Sequence, residues 1–191
     1  MTGLVEDIIR GDQDLFLWLN GQHTPWVDSL MYWITFKYTW IPLYLLLITI
    51  TFMKENRRGF GIMLTVLAAV IIADQITSGF MKPYFIRFRP CHDPALRSMV
   101  HTVAGCGGLY GFASSHASTS FAVASSWFFL LRKRVPYLWL LFVWAGFYSY
   151  SRIYVGVHYP ADVLIGALIG MLAGGCCSAL YATFLSKYTR N

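Results

Sequence analysis

Charged side chains are scarce in this chain. Asp, Glu, Lys and Arg make up 13% of its 191 residues and apolar residues 57%, whereas a soluble domain carries roughly 25% charged residues. The deficit excludes an ordinary soluble enzyme and indicates that much of the surface faces lipid. The net charge of +6 does not indicate nucleic acid, because the basic residues stand in short clusters between apolar runs. We therefore expect a membrane, and no nucleic acid, as a partner.

Other features are also missing. The first residues, MTGLVEDIIRGDQD, are acidic and lack the basic n-region of a cleavable signal peptide, so we expect none. The chain has no low-complexity segment and no detectable repeat. Its length suits one domain, 1–191.

Long apolar runs account for most of the remaining sequence. A transmembrane helix needs about 20 mostly apolar residues, and five segments qualify. The first contains Lys37 and Pro42, so we expect it to be tilted or kinked, or to form two pieces. The pattern predicts an all-α polytopic bundle over 26–185. The five segments are 26–53, 59–81, 114–131, 136–154 and 160–185.

The residues before the first span, within 1–25, have an amphipathic pattern. Apolar side chains fall near one helical face, and most of the acidic ones lie elsewhere. The pattern predicts a helix that lies in the membrane interface, and the alternative is an ordinary surface helix on the protein. The apolar side chains are Leu4, Ile8, Leu15, Phe16 and Leu19.

The loops are unequal and indicate an orientation. The loops 54–58 and 132–135 are short and basic, and such loops stay in the cytoplasm. The long loop, 83–113, is rich in Gly, Pro, Cys and His, and a segment of this kind is usually functional. We therefore expect the long loop to be extracytoplasmic. The predicted location is a bacterial inner membrane, with the site facing the periplasm or exterior.

Three polar clusters lie at the outer ends of different predicted helices. Taken alone, a cation there is usually an interfacial anchor, and a lone His is usually a structural hydrogen-bonder. Their convergence at one membrane depth favours a site instead. The clusters are Lys82 to Arg89-Pro90, Ser114-Ser115-His116, and Ser151-Arg152 to His158 and Asp162.

The first chemical property of these clusters is affinity for phosphate. Lys82, Arg89 and Arg152 supply positive charge, and the Arg forks can bind phosphate oxygens in bidentate fashion. Ser114 and Ser115 open a helix, where backbone N–H groups and the helix dipole favour an anion. The pattern therefore predicts a phosphate-binding site.

The second property is nucleophilic catalysis. His158 and Asp162 are four residues apart at a helix start, so the carboxylate can fix one ring nitrogen and leave the other as a nucleophile. A second His is then needed as an acid for the departing oxygen. His116 is the best candidate, because His92 and His101 lie in the long loop, where nothing in the sequence fixes their position.

The clusters resemble the three signature motifs of the type 2 phosphatidic acid phosphatase superfamily. Those motifs are Lys, six residues, Arg-Pro; then Pro-Ser-Gly-His; then Ser-Arg, five residues, His, three residues, Asp. The first and third match in full. The second departs, because Ala113 replaces Pro and Ser115 replaces Gly, which affects loop conformation more than the side chains expected to act. The resemblance covers 59–174.

The resemblance implies a two-step hydrolysis without metal or cofactor. His158 would attack phosphorus and form a phosphohistidine, and His116 would protonate the leaving group. Water would then release phosphate, while Ser114 and the three cations hold the phosphoryl oxygens. The expected activity is removal of phosphate from a lipid.

Several substrates fit an outward-facing site. We expect undecaprenyl diphosphate, because a small chain leaves little room for headgroup recognition. The alternatives are lipid A or phosphatidylglycerol phosphate as substrate, or transfer of the phosphoryl group to another acceptor. A vanadium haloperoxidase fits poorly, and a non-catalytic membrane scaffold is a remote alternative. The sequence does not fix the oligomeric state, and a monomer is the favoured expectation.

Two cysteines of the long loop are predicted to pair. If the loop faces an oxidising compartment, a Cys91–Cys106 disulfide can persist there, and the alternative is two free thiols. Gly166, Gly170 and Gly174 form a small-residue stripe for close helix packing, favoured within the monomer over a contact between subunits.

Overall fold

The structure, a computed structural model, describes residues 2–188, with side chains for residues 3–186. These residues are helical apart from loops and one isolated bridge between Phe88 and Tyr110, which confirms the all-α class. A π-helical segment, Gln75–Met81, joins α4 to α5. The α-helices of the described chain are α1 (Thr2–Asn20), α2 (Pro25–Thr35), α3 (Ile41–Glu55), α4 (Arg58–Asp74), α5 (Lys82–Phe85), α6 (Ser115–Leu131), α7 (Leu140–Tyr154) and α8 (Pro160–Tyr188).

The number of membrane spans is supported only in part. Within the described residues, Arg58–Phe85 and Pro160–Ser186 are continuous helices long and apolar enough to cross a membrane, and α2 with α3 would make a third span. Helices α6 and α7 have 17 and 15 residues, fewer than the roughly 20 that span a bilayer. Two or three spans are therefore established by length and composition, and five is not.

The first predicted span, 26–53, consists of two helices. Helix α2 ends at Thr35, Phe36 is extended, and a 3₁₀ turn precedes α3. The two parts are bent by 66°. Pro42 lies in the first turn of α3, where a missing N–H group is tolerated. The two-piece alternative is the one that the structure shows.

Helix α8 packs on α6 through the glycine stripe. A Cβ atom added at Gly166, Gly170 or Gly174 would overlap α6 atoms, including the carbonyl oxygens of Ser114 and Ser118. The stripe therefore allows backbone-to-backbone contact within one chain, as favoured from the sequence. This contact fixes the starts of α6 and α8 beside each other.

Helix α1 covers the end of the bundle at which α8 begins. Phe16 is fully buried and its ring meets the ring of Tyr159 edge-on, with 5.4 Å between centroids. Leu4, Ile8 and Leu15 are exposed, so the five apolar residues predicted to share a face divide between the protein and the surroundings. The exposed apolar side suits a membrane interface.

Candidate active site

The first predicted cluster begins at the π-helical segment. A π turn widens the helix locally and often marks a functional site. Directly after it, Lys82 Nζ donates hydrogen bonds to Ser78 Oγ at 3.1 Å and to Ser115 Oγ at 3.0 Å. Ser78 Oγ in turn donates to Asp74 Oδ1 at 3.0 Å. Asp74 thus reaches Lys82 through a serine, and the lysine is held against the start of α6.

Arg89, the arginine of that cluster, lies in the long loop on an extended segment, which we call the paired arm. Backbone hydrogen bonds join this segment to a second segment of the same loop. The Arg89 N–H donates to the carbonyl of Leu109 and the Gly111 N–H to the carbonyl of Arg87, both at 2.9 Å. Side chains two apart on an extended segment share a face, so Arg87 and Arg89 both point toward the site. The predicted Cys91–Cys106 disulfide is present just beyond this arm, with 6.1 Å between the Cα atoms.

His158 and Asp162 form the centre of the site at the turn between α7 and α8. His158 Nδ1 lies 3.3 Å from Asp162 Oδ2, and the same oxygen accepts the Tyr159 N–H at 3.0 Å. The His158 side chain is 1% exposed and that of Asp162 is 0% exposed. A Cβ at Gly111 would lie 3.1 Å from Asp162 Oδ2, so a glycine there leaves room for the pair.

The protonation state of His158 follows from its surroundings. Burial, followed by the charges of Arg89, Arg152 and Lys82, holds the pKa of His158 well below its usual range. The imidazole is therefore neutral at pH 7. With Nδ1–H directed at the carboxylate, Nε2 carries the free lone pair that a nucleophile needs.

Arg87 is a site residue that the sequence reasoning missed. Its Nη1 donates to Asp162 Oδ1 at 2.8 Å and its Nη2 to Asp12 Oδ2 at 2.6 Å. Asp12 Oδ1 accepts the Ala161 N–H at 2.8 Å. Both oxygens of Asp162 are thus held, and α1 is tied to the start of α8. The available signal was the position of Arg87 two residues before Arg89 on an extended arm.

The second cluster opens α6 as predicted. Ser114 precedes the first residue of α6, and its N–H donates to the Asp162 carbonyl oxygen at 2.9 Å. The His116 ring lies against the Tyr148 ring, with 5.3 Å between centroids. His116 is also within electrostatic range of His158 and Arg152. The second histidine therefore lies beside the first.

Three unpaired donors surround this centre. Arg152 Nη1 donates to Thr35 Oγ1 at 2.6 Å, but its Nε has no partner. Across residues 3–186, five buried polar side-chain atoms lack a hydrogen-bond partner, and Arg152 Nε, Arg89 Nε and Ser114 Oγ are three of them. Buried polar groups are nearly always paired. Three unpaired donors on the residues predicted to bind phosphate therefore favour an anion there.

The other loop histidines lie elsewhere. His92 Nε2 is 3.1 Å from the Gly107 carbonyl oxygen, and His101 Nε2 is 3.0 Å from Asp28 Oδ1. Neither is hydrogen-bonded to a residue of the site. The structure instead brings together the eight predicted catalytic and phosphate-binding residues. They are Lys82, Arg89, Ser114, Ser115, His116, Arg152, His158 and Asp162.

Two cavities reach the site and meet at His116 and Lys37. A polar one of about 350 Å³ lies between α2, the long loop and Arg152. An apolar one of about 570 Å³ runs between α3, α4 and α6, along Val66, Val70 and neighbouring residues. The His158 ring, which is 1% exposed, is not among the residues that line these two cavities.

Comparison with known proteins places this arrangement in a family. The model of the PAP2 superfamily matches residues 63–186. The lipid A 4'-phosphatase of Porphyromonas gingivalis is 34% identical over 96% of this chain and 78% of its own length. The undecaprenyl-diphosphatase BcrC of Bacillus subtilis is 26% identical over 84% of this chain and 79% of its own.

A solved structure of a known protein has a similar fold. The transmembrane PAP2-type phosphatidylglycerolphosphate phosphatase from Bacillus subtilis has a TM-score of 0.68 and 21% identity, and the match covers 95% of this chain and 87% of that one. The chain belongs to the PAP2 superfamily, as its three motifs predicted. Within that class it is a membrane protein and a lipid phosphatase.

Proposed function

We propose that this protein removes a phosphate group from a lipid of the lipid A type at the outer face of a bacterial inner membrane. The sequence alone favours undecaprenyl diphosphate, because the chain is small. The relative named a lipid A 4'-phosphatase weakens this argument from size, because it aligns with 96% of this chain at 34% identity. The relative named an undecaprenyl-diphosphatase is less similar, at 26%. We therefore rank the lipid A alternative first.

The single observation that carries the phosphatase mechanism is the set of unpaired donors beside the buried His158–Asp162 pair. Arg89 Nε, Ser114 Oγ and Arg152 Nε have no partner within the described side chains. A phosphoryl group has enough acceptor oxygens to satisfy all of them. Charge-assisted bonds from Arg to phosphate are about twice as strong as neutral ones. These donors would bind the group with phosphorus in reach of His158.

In the first step, His158 Nε2 attacks phosphorus and the bond from phosphorus to the lipid oxygen breaks. Asp162 holds Nδ1–H and stabilises the positive charge that develops on the ring. His116, which would be protonated once the anionic phosphate is bound beside it, gives that proton to the departing lipid oxygen, so the lipid leaves as an alcohol. The product on the enzyme is a phosphohistidine.

In the second step, water attacks the phosphohistidine. His116, which is now neutral, accepts a proton from the water as the phosphorus–nitrogen bond breaks. Inorganic phosphate leaves, and both histidines return to their starting states. Throughout the cycle, Lys82, Arg89 and Arg152 stabilise charge on the phosphoryl oxygens, which is the main requirement of phosphoryl transfer.

This site supplies cations where a metal-dependent phosphatase supplies carboxylates. Mg²⁺ is usually bound through carboxylates and substrate phosphates. The carboxylate nearest the reacting centre, Asp162, already accepts hydrogen bonds from Arg87, Tyr159 and His158. We therefore propose a metal-independent reaction.

The two cavities fit a lipid with a polar head and apolar chains. The polar cavity at Arg152 would accept the headgroup. The apolar cavity, which has Val66, Leu67 and Val70 along its wall, would accept part of one chain. Because the cavities meet at His116 and Lys37, the phosphate ester would lie at their junction.

The proposed topology is five spans, with α6 and α7 crossing as short helices beside the three longer ones. The basic loops at 54–58 and 132–135 would be cytoplasmic. Single cysteines, Asn56→Cys and Ser98→Cys, can be placed in a cysteine-free background, since both positions are exposed. An impermeant thiol reagent on cells opened only at the outer membrane should label position 98. Labelling at 56 alone would reverse the orientation.

Phosphate release from a lipid panel tests the function. Purified protein in detergent and EDTA should release phosphate from lipid A faster than from undecaprenyl diphosphate, phosphatidylglycerol phosphate or phosphatidate. Vanadate should inhibit, because it mimics the pentacoordinate phosphoryl state. If another lipid is fastest, the substrate assignment is wrong and the phosphatase stands. If every rate needs added Mg²⁺, the mechanism is wrong.

A further inference from the structure

A second cluster of ligand-type side chains lies outside the phosphate site. We propose that His23, Asp28 and His101 bind a divalent transition-metal ion of the Zn²⁺ type. One potential ligand atom from each lies within 4.8 Å of the other two. His101 Nε2 is 3.0 Å from Asp28 Oδ1. The rings of His23 and His101 are stacked, with 3.7 Å between centroids and 4° between planes.

The set has the composition of a zinc site. Two imidazoles and one carboxylate, with a fourth position left to water, are a common zinc ligand set. Ligand bonds of about 2.0–2.2 Å put neighbouring tetrahedral ligand atoms about 3.4 Å apart. His101 Nε2 and Asp28 Oδ1, which are 3.0 Å apart, are already close to that spacing, and the ligand atom of His23 lies within 4.8 Å of both. In the parallel stack the in-plane lone pairs of the two rings do not converge on one ion. His23 is exposed, so its ring can turn toward the ion without disturbing a core.

A second layer of hydrogen bonds holds the other two ligands. Asn20 is 1% exposed, and its side-chain amide donates to the carbonyl oxygens of His101 and Tyr154 at 2.9 and 2.8 Å. Asn20 Oδ1 accepts the His101 N–H at 2.8 Å. The Tyr154 hydroxyl donates to Asp28 Oδ1 at 2.7 Å. Such outer partners orient metal ligands and are a regular part of metal sites.

The position suggests what the ion does. His23 lies between α1 and α2, Asp28 lies on α2, and His101 lies on the long loop. Through Tyr154, the cluster also reaches the end of α7, two residues after Arg152. A bound ion would therefore join α2 and the long loop, which form the two sides of the polar cavity. The role of the ion is to stabilise the two sides of the polar cavity, and it takes no part in the phosphoryl chemistry.

Zinc titration of the full-length protein tests this site. Protein whose purification tag has been removed should be stripped with chelator, dialysed, and titrated with Zn²⁺ against a competing fluorescent chelator. We expect one ion per chain and a rise in the thermal unfolding midpoint. His23→Ala and Asp28→Asn should each weaken binding at least tenfold and remove the rise. His92→Ala is the matched control, because it also removes a loop histidine and should change neither.

Two results would overturn the proposal. One is no stoichiometric zinc binding by the wild-type protein at micromolar concentrations. The other is equal binding by wild-type protein and His23→Ala. Because the His23 side chain is exposed, weaker binding by this variant would not be explained by a folding defect. Phosphate release in EDTA is measured alongside, and it should persist in both stripped protein and His23→Ala. Failure of the metal site is thereby distinguished from failure of the phosphatase mechanism.

Discussion

Arg87 joins the carboxylate beside His158 to the N-terminal helix. Its guanidinium donates to Asp162 at 2.8 Å and to Asp12 at 2.6 Å, and its plane lies over the Tyr159 ring, 4.1 Å from the centroid. Asp162 has no exposed surface, so Arg87 supplies the nearest compensating charge. The orientation of the proposed catalytic pair therefore depends on a residue whose guanidinium is already paired with two carboxylates.

Replacement of Arg87 tests this dependence. Arg87→Gln should lower kcat by roughly 10–100-fold, as for other residues that orient a reacting group, with a smaller change in KM. Arg87→Lys should recover part of the rate, because it restores the charge and one of the two hydrogen bonds. Steady-state phosphate release gives both constants. A positioning role is contradicted if Arg87→Gln and Arg87→Lys lose the same fraction of kcat, or if only KM changes.

His158→Ala should abolish turnover while the protein still folds. The change removes the proposed nucleophile, and loss of the nucleophile of a serine protease costs about 10⁶ in kcat. His92→Ala, which removes a histidine of the long loop outside the site, serves as the control and should be active. Phosphate release and thermal unfolding should be measured for both variants. More than a few per cent of normal activity in His158→Ala refutes the proposed nucleophile.

His116→Ala should show a leaving-group dependence. The lost function is protonation of the departing oxygen, so hydrolysis of a lipid phosphate should fall by about 10²–10⁴-fold, the usual contribution of acid–base catalysis. An activated ester such as p-nitrophenyl phosphate needs less protonation and should be affected less. The ratio of the two rates is the measurement. Equal losses on both substrates would assign His116 a role other than the acid.

The Cys91–Cys106 disulfide should contribute to stability. It closes a loop with a sequence separation of 15, for which the chain-entropy model gives about 3 kcal/mol. Cys91→Ser with Cys106→Ser should lower the unfolding midpoint, whereas Cys176→Ser with Cys177→Ser, the matched control, removes two free thiols.

Mass spectrometry gives the direct check. After alkylation without reduction, Cys91 and Cys106 should remain unmodified in protein from its native compartment. The exposed Cys176 should carry the alkyl group. Alkylation of both loop cysteines would contradict the disulfide and remove one support of the outward topology.

The sequence predicted the features that depend on local spacing. The distance of four residues from His158 to Asp162, the start of α6 at Ser115 and the proline start of α8 all follow from helix geometry and capping preferences. The break after Thr35 was one of two alternatives, because Lys37 and Pro42 indicate a kink without giving its angle. These features require only neighbouring residues.

Features that depend on tertiary contacts were not predictable in this way. Arg87 binds Asp12 and Asp162, each 75 residues away, so no local pattern indicates either partner. The π-helical segment before Lys82 similarly leaves no periodic signal that differs from an ordinary apolar helix. The sequence does not single out His101, because nothing in the long loop fixes its position. Its position depends on Asn20, 81 residues earlier.

The glycine stripe has a consequence for how the site responds to a change in bilayer thickness. Helices α6 and α8 touch backbone to backbone, and they carry His116 and Asp162 at adjoining ends. The spacing of His116, the proposed acid, and Asp162, the partner of the proposed nucleophile His158, is thus set by a backbone contact too short to stretch when the bilayer thins or thickens. The proposed bond exchange would therefore take place at distances that do not follow the thickness of the membrane.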